Sequence, residues 1–299
     1  MNTFLVSARY EMLNTRRART AHLLLIVFIG MVVASSVIGW VTNQTVTGVY
    51  EKVLADGLTT APNPFTGVTP LYYARNAVIY VLLIGSLMAI VLGVQATLRD
   101  RKAATTDLVL SRPVGTAARL LGQLAGLGVV LAAVIGISFA VSWIIISVIN
   151  GAPLGWAETG RVIAFCLLSW VLLTTFSLLG MLTGLRSKQE TTALLVPFVI
   201  WSAVAFVLPQ IGTAARPVSL LNPVPAVSST GGYFDFVSMI TGPLSVTEQF
   251  KRASSIILQD TTVTGDATSS TLILLAFLTV MTVIVVATPR NRMRSGVNE

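Results

Sequence analysis

Six uninterrupted apolar runs, at residues 21–41, 77–94, 124–148, 162–182, 193–208 and 271–288, constrain this chain more than any other feature. Each is close to the roughly 20 residues that carry a helix across the hydrocarbon core of a bilayer. The third is the longest and the fifth the shortest. Composition agrees: 54% of residues are hydrophobic, 11% are charged and the mean hydropathy is +0.80, far from the balance of a soluble domain. The chain reads as an all-α integral membrane protein, a single domain over 1–299 with six transmembrane helices.

Basic residues decide the orientation, because cytoplasmic flanks retain Lys and Arg. They gather at Arg9, Arg16, Arg17 and Arg19, at Arg99, Arg101 and Lys102, at Arg112 and Arg119, at Arg186 and Lys188, and at Arg290, Arg292 and Arg294. All of these fall on one side of a six-span topology, giving that side a charge of about +9 and the other about −1. Both termini are therefore expected in the cytoplasm, in a cell membrane. The net charge of +8 is explained by helix ends beside anionic headgroups, so membrane lipids are the expected partner and nucleic acid is not. The first run exceeds a signal-peptide core of roughly 7 to 15 residues and is expected to stay in the mature protein. Cys166 is the sole cysteine and reads as a small packed hydrophobe, with no internal disulfide.

Between the runs the chain is unevenly distributed. An outer loop covers 42–76, and a longer one follows the fifth run, 209–270. Within the latter, "SVTEQFKRASSIIL" places Ser245 and Glu248 at capping-box spacing. Val246, Phe250, Ala253 and Ile257 repeat at helical intervals, with Glu248, Lys251 and Arg252 off that stripe. Two placements follow: an amphipathic helix on or dipping into the outer membrane surface, or a helix packed on other loops. Upstream, "PVSLLNPVPAV" carries three prolines and forms no regular helix. The N-terminal "MNTFLVSARYEMLNTRRAR" puts Met1, Leu5, Ala8 and Met12 on one helical face and Ser7, Glu11 and Asn14 on another. It is expected to lie as an interfacial helix and to turn sharply into the membrane near Arg19.

Catalysis is disfavoured by omission. None of the six runs contains Asp, Glu, Lys or Arg, the usual markers of proton relays and ion pathways within a membrane. His22, the sole histidine, sits at a membrane boundary with no second ligand near it in sequence, so neither a metal site nor a base is supported. Ser86, Ser138 and Ser142 can hydrogen-bond within a bundle but lack an accompanying base. No phosphate-binding loop of the G-x-x-x-x-G-K-[ST] type is present. No cofactor is expected in this chain.

The stretch "LRDRKAATTDLVLSRPVG", 98–115, interrupts the greasy sequence with charge and a proline. Residues 98–102 extend the second span as a charged stalk. Thr105 and Thr106 offer N-cap side chains, Asp107 suits the following first turn, and Pro113 stops the helix while disfavouring it at Arg112. The product is a small knob presenting Leu108, Val109 and Leu110, and such an exposed apolar triplet ringed by charge is expected to have a partner.

At these residues the sequence resembles the permease subunits of type-2 ABC exporters. "ATTDLVLSRPV" is similar to that family's loop after the second span, with Thr105, Asp107, Leu110, Ser111, Pro113 and Val114 matching, and Gly122 in the following "LLGQLAG". "SARYEMLNTRRAR" resembles its N-terminal elbow helix, "GLRSKQETTALLVPFVIW" its junction between spans four and five, and "SLLNPVPAV" its outer Leu-Asn-Pro motif. Ala104 stands where glycine is usual, and Arg101 and Lys102 where glutamate is common. The resemblance implies a coupling helix, carried by Thr105, Asp107, Leu108, Val109, Leu110, Ser111, Arg112 and Pro113, docked on a separate ABC ATPase subunit. It further implies two ATPase copies and a second permease copy, identical or related. Gly122 and Gly126, and Gly180 and Gly184, permit close helix approach, between copies or within one. With no charge in any span, a lipid-like or amphipathic cargo is expected, along walls that include Trp170 and Trp201. The alternative is a non-transporting scaffold that uses ATPase motion to act on an outer-face partner.

Overall fold

The computed structural model describes residues 3–60, 69–102, 116–187, 189–213, 221–226, 232–259, 263 and 265–288, and every regular element among them is helical. Helix α1 is Thr3–Arg17 and α2 is Arg19–Ala55. A 3₁₀ turn at Pro70–Ala74 leads into α3, built of an α-turn Ala77–Tyr80, a π turn Val81–Gly85 and an α-helix Ser86–Lys102. Helices α4 and α5 are Thr116–Ile149 and Trp156–Arg186. Helix α6 runs through Glu190–Ser202, a π turn Ala203–Val207 and Leu208–Thr213. Then come α7, Tyr233–Leu244, α8, Val246–Ile257, and α9, Thr268–Val286. Six stretches are long and apolar enough to span: Ala21–Ala55, Ala77–Arg99, Thr116–Ile149, Trp156–Arg186, Glu190–Ile211 and Thr268–Val286.

Several boundaries differ from those read off the apolar runs. The first span continues as helix to Ala55, about 55 Å against a hydrocarbon core of roughly 30 Å, so much of the expected 42–76 loop is an extension of α2. Gly57 ends it: at φ +70° it donates to the Leu54 carbonyl (3.1 Å) while Leu58 N–H reaches the Val53 carbonyl (3.0 Å), the paired bonds of a left-handed helix stop. The sixth span, at 19 residues, is shorter than the fifth, which continues past Pro209 to Ile211 over 22 residues. The expected 209–270 loop thus starts inside α6 and contains α7 and α8.

Helices α3 and α5 form the centre, and α2, α6 and α9 are mostly unburied at the periphery. The two central helices run side by side in the same direction. A Cβ placed on Gly93 would strike the Ser177 carbonyl oxygen, one on Gly180 the Ile90 carbonyl oxygen, and one on Gly184 the Thr97 hydroxyl. Glycine is therefore what lets the two backbones touch, and van der Waals contact at that range is the main attraction between helices in lipid. Around this seam α5 gathers the remaining helices. Trp170 Nε1 donates to the Gly128 carbonyl of α4 (2.8 Å), Trp143 Nε1 of α4 donates to Thr159 Oγ1 (3.1 Å), and Thr183 Oγ1 donates to the Ala193 carbonyl of α6 (3.1 Å). Leu178, Met181 and Leu185 pack with Leu120 of α4 and Val285 of α9.

Both π turns leave backbone carbonyls misaligned with the α-helical ladder, and in a membrane such groups need a donor. Ser86 Oγ donates to Val81 O (3.4 Å), and Gln210 Nε2 donates to Phe206 O (2.7 Å). The other serines singled out from sequence serve the bundle: Ser138 Oγ donates to Val134 O (2.8 Å), and Ser36 Oγ of α2 donates to Ser142 Oγ of α4 (3.3 Å).

The seam yields a direct test. Gly180→Val should overpack the α3–α5 contact and lower thermal stability by about 1 to 3 kcal/mol or more, whereas Gly136→Ala, a mid-helix site where a Cβ meets nothing within 4 Å, should not lower it and should raise it by up to about 1 kcal/mol. Thermal unfolding of the detergent-solubilised protein, followed by tryptophan fluorescence, distinguishes the two.

Candidate functional site

Residues Thr105, Asp107, Leu108, Val109, Leu110, Ser111, Arg112 and Pro113 lie outside the described residues. The platform from which their segment leaves, however, is defined by the end of α3, the start of α4 and the packing of α1 across both. This end of the molecule carries Arg19, Arg99 and Arg186 and is called the basic end below.

Helix α1 seats in a groove on α4 made by the missing side chains of "GQLAG". A Cβ at Gly122 would lie 2.5 Å from the Phe4 carbonyl oxygen and 2.7 Å from Ser7 Cβ. At Gly126 it would lie 2.5 Å from the Ala8 carbonyl oxygen and 3.0 Å from Glu11 Cβ. Both glycine pairs noted in the sequence are thus occupied within one chain. Between them, Gln123 is buried and its Nε2 donates to the Ala96 carbonyl of α3 (3.4 Å), joining the two helices that bracket the 103–115 segment.

The structure sets which face of α1 meets the protein. Its small and polar face is the buried face: Glu11 and Thr15 are buried, Ser7 is half-buried, and Leu5, Met12 and Leu13 are exposed. In a bilayer interface the apolar side gains from facing lipid and the polar side from facing protein donors. Arg99 Nη2, at the foot of α3, donates to Glu11 Oε1 (3.3 Å), and Thr15 Oγ1 donates to the same oxygen (3.1 Å). Glu11 is 1% exposed and Arg99 27%, so the pair is screened on the carboxylate side. The chain breaks at Ala18, whose extended backbone separates α1 from α2, and His22 Nδ1 lies 2.9 Å from the Ala18 carbonyl oxygen.

At the far end, α8 is a buried element rather than a surface helix. Phe250 and Lys251 are both fully buried, together with Val246, Thr247 and Ala253. Of the charged residues off the apolar stripe Arg252 is exposed and Lys251 is inside, where it is tolerated because Lys251 Nζ donates to Glu248 Oε1 (2.9 Å). Glu248 Oε2 also accepts the Ala226 N–H (2.8 Å), and Asn222 Oδ1 accepts the Val224 N–H (3.1 Å). The "LNPVPA" segment is thereby folded and pinned onto α8. Arg161 of α5 donates to the Ile257 carbonyl at the end of α8 (3.2 Å), a cation where a helix terminus favours one. Phe165 of α5 sits between Phe139 of α4, edge to face (centroids 5.0 Å), and Phe250 (6.0 Å). Ahead of α9, the exposed carboxyl of Asp266 is held below its ordinary range by hydrogen bonds from the Thr268 hydroxyl and backbone N–H.

Of the two tryptophans expected along a path, Trp170 bonds α4, and Trp201 is buried against Phe198 and Phe206. Among the described residues no three His, Cys, Asp or Glu side chains gather where they would hold a metal ion. Sequence reasoning missed Arg99, Glu11 and Gln123 as a set, although the near adjacency of Arg99 and Gln123 to the 103–115 segment was a usable signal.

The Glu11–Arg99 pair is testable by a double-mutant cycle. Glu11→Gln and Arg99→Gln should each lower stability by about 1 to 3 kcal/mol, and the double substitution should cost less than their sum. A coupling near zero would mean that the pair does not fasten α1.

Among known proteins, the family described as ABC-2 family transporter protein matches this chain over residues 5–288. No curated protein matches it.

Proposed function

The chain belongs to the ABC-2 transporter family, and from that premise we propose how it takes up ATP-derived motion and what it moves. Membership makes it the multi-pass transmembrane subunit of an ABC transporter and implies a partnership with an ABC ATPase subunit. In the proposed assembly two permease copies work with two ATPase copies. ATP and Mg are bound by the ATPases, and this chain performs no chemistry of its own. The positive-inside rule supports both termini in the cytoplasm of a cell-membrane protein.

The observation that carries the reading is the continuous packing from the roots of the 103–115 segment to α8. Arg99 and Gln123 fix those roots to α1 and to each other. The α3–α5 seam runs through the membrane, and Arg161 and Phe165 grip α8 at its far end. Displacement of a knob at Thr105, Asp107, Leu108, Val109, Leu110, Ser111, Arg112 and Pro113 would move this unit as a body. The mobile partners are then α2 and α6, whose faces are mostly unburied, and the switch is a shift between inward-open and outward-open populations. A lipid-like or amphipathic export substrate suits spans whose middles carry no charge, because a bare ion there is costly.

Leu108→Asp, or deletion of 107–111, should abolish permease-dependent stimulation of the ATPase while membrane insertion is retained. Wild-type co-purification and stimulation with the deletion would contradict the docking. Cysteine labelling from outside intact cells should reach a Thr59→Cys variant and not Thr105→Cys; outside labelling at 105 would invert the topology. Loss of ATPase-driven movement of a fluorescent phospholipid in the deletion variant, with transport present in wild type, separates a transporter from a scaffold.

A further inference from the structure

A cleft of about 520 Å³ opens between α5 and α6 at the basic end, outside the platform described above. Its walls are two helical stripes. On α5 they are Leu179, Leu182 and Arg186, and on α6 Thr192, Val196 and Ile200, with Gln189 at its N-cap. Both stripes grade in the same direction, from aliphatic side chains toward the membrane middle to a guanidinium, an amide and a hydroxyl at the boundary. The helices meet along the floor, where Thr183 Oγ1 donates to the Ala193 carbonyl and Ala193 is fully buried.

The dimensions match one leaflet. Leu179 to Arg186 covers about 10 Å of helix and Gln189 to Ile200 about 16 Å, against a half-thickness of the hydrocarbon core of about 15 Å. Arg186 is exposed and has no carboxylate within ion-pair distance among the described residues. Gln189 is exposed as well and its side chain makes no cap to α6. An exposed cation above an aliphatic slot is complementary to an anionic head on an acyl chain, and guanidinium suits phosphate in particular.

We propose that this cleft is a binding site for an anionic phospholipid of the leaflet on the basic side, its phosphate on Arg186 with Gln189 and Thr192 beside it, and one acyl chain between Leu179, Leu182, Val196 and Ile200. The lipid is resident. It fills the space above the Thr183–Ala193 contact, between α5 and α6, and so sets how far α6 stands from the rigid unit. This site does not depend on what the complex transports.

The test uses the full complex equilibrated with vesicles of equimolar phosphatidylglycerol and phosphatidylcholine of identical chains, followed by native mass spectrometry. Wild type should retain phosphatidylglycerol in preference. Arg186→Gln should reduce that retention about fivefold, the factor one basic residue contributes at an anionic surface, and Arg186→Lys should restore most of it. Val196→Trp, at an exposed position, should fill the slot and reduce both lipids. Wild-type retention of phosphatidylglycerol in Arg186→Gln or in Val196→Trp would overturn the site, as would equal retention of both lipids by wild type. Retention should be unchanged after ATP turnover. Depletion on turnover would make the bound lipid a transported substrate and overturn the resident assignment.

Discussion

Contact between two backbones, α3 and α5, is what the rest of the molecule depends on. Lipid chains are as apolar as leucine, so burial of apolar surface does not drive two spans together as it would in water. What remains is packing at short range, and Gly93, Gly180 and Gly184 provide it by removing the side chains that would hold the helices apart. Helix α5 can then bond α4 through Trp170, α6 through Thr183 and α8 through Arg161. A side chain at Gly93 or Gly180 would strike backbone, which cannot move aside as a flexible side chain can.

The same device repeats at the basic end with a different purpose. Gly122 and Gly126 admit α1 to α4, and the close approach brings Glu11 to Arg99. One polar contact thereby ties the N-terminal helix to the foot of α3, next to the segment proposed to meet the ATPase. At the far end charge is again internal, with Lys251 held by Glu248 and Glu248 in turn holding Ala226. Polar groups in this chain act mainly as fasteners between elements, while most of the bilayer-facing surface of α2, α6 and α9 is aliphatic.

Spans were legible because length and apolarity are the conditions for crossing a bilayer: five of the six runs lie wholly within helices of spanning length, and the sixth overruns its helix by two residues. Their ends were less legible. Helix α2 continues through "VTNQTVTGVYEKVLA", where polar and β-branched residues give no apolar signal, and it ends on the Gly57 stop. Amphipathic patterns were legible, but what each face would meet was not. A polar stripe points to water only if water is the neighbour, yet Glu11 faces the α3–α4 platform and Lys251 faces the interior. Pairing partners such as Arg99 for Glu11 are 88 residues apart, and nothing in a local window joins them. The glycine pairs were legible as contact points, but not which helices they would join.

The central claim is that α1, α3, α4, α5 and α8 move as one body when the ATPases bind nucleotide. It is tested most directly by pulsed dipolar distances between spin labels at Tyr10 on α1 and Arg252 on α8, both exposed, introduced into one permease copy of a complex lacking Cys166. The account predicts one distance distribution, unchanged between the nucleotide-free complex and the complex trapped with ATP and vanadate. A shift of several ångströms within that single copy would contradict it.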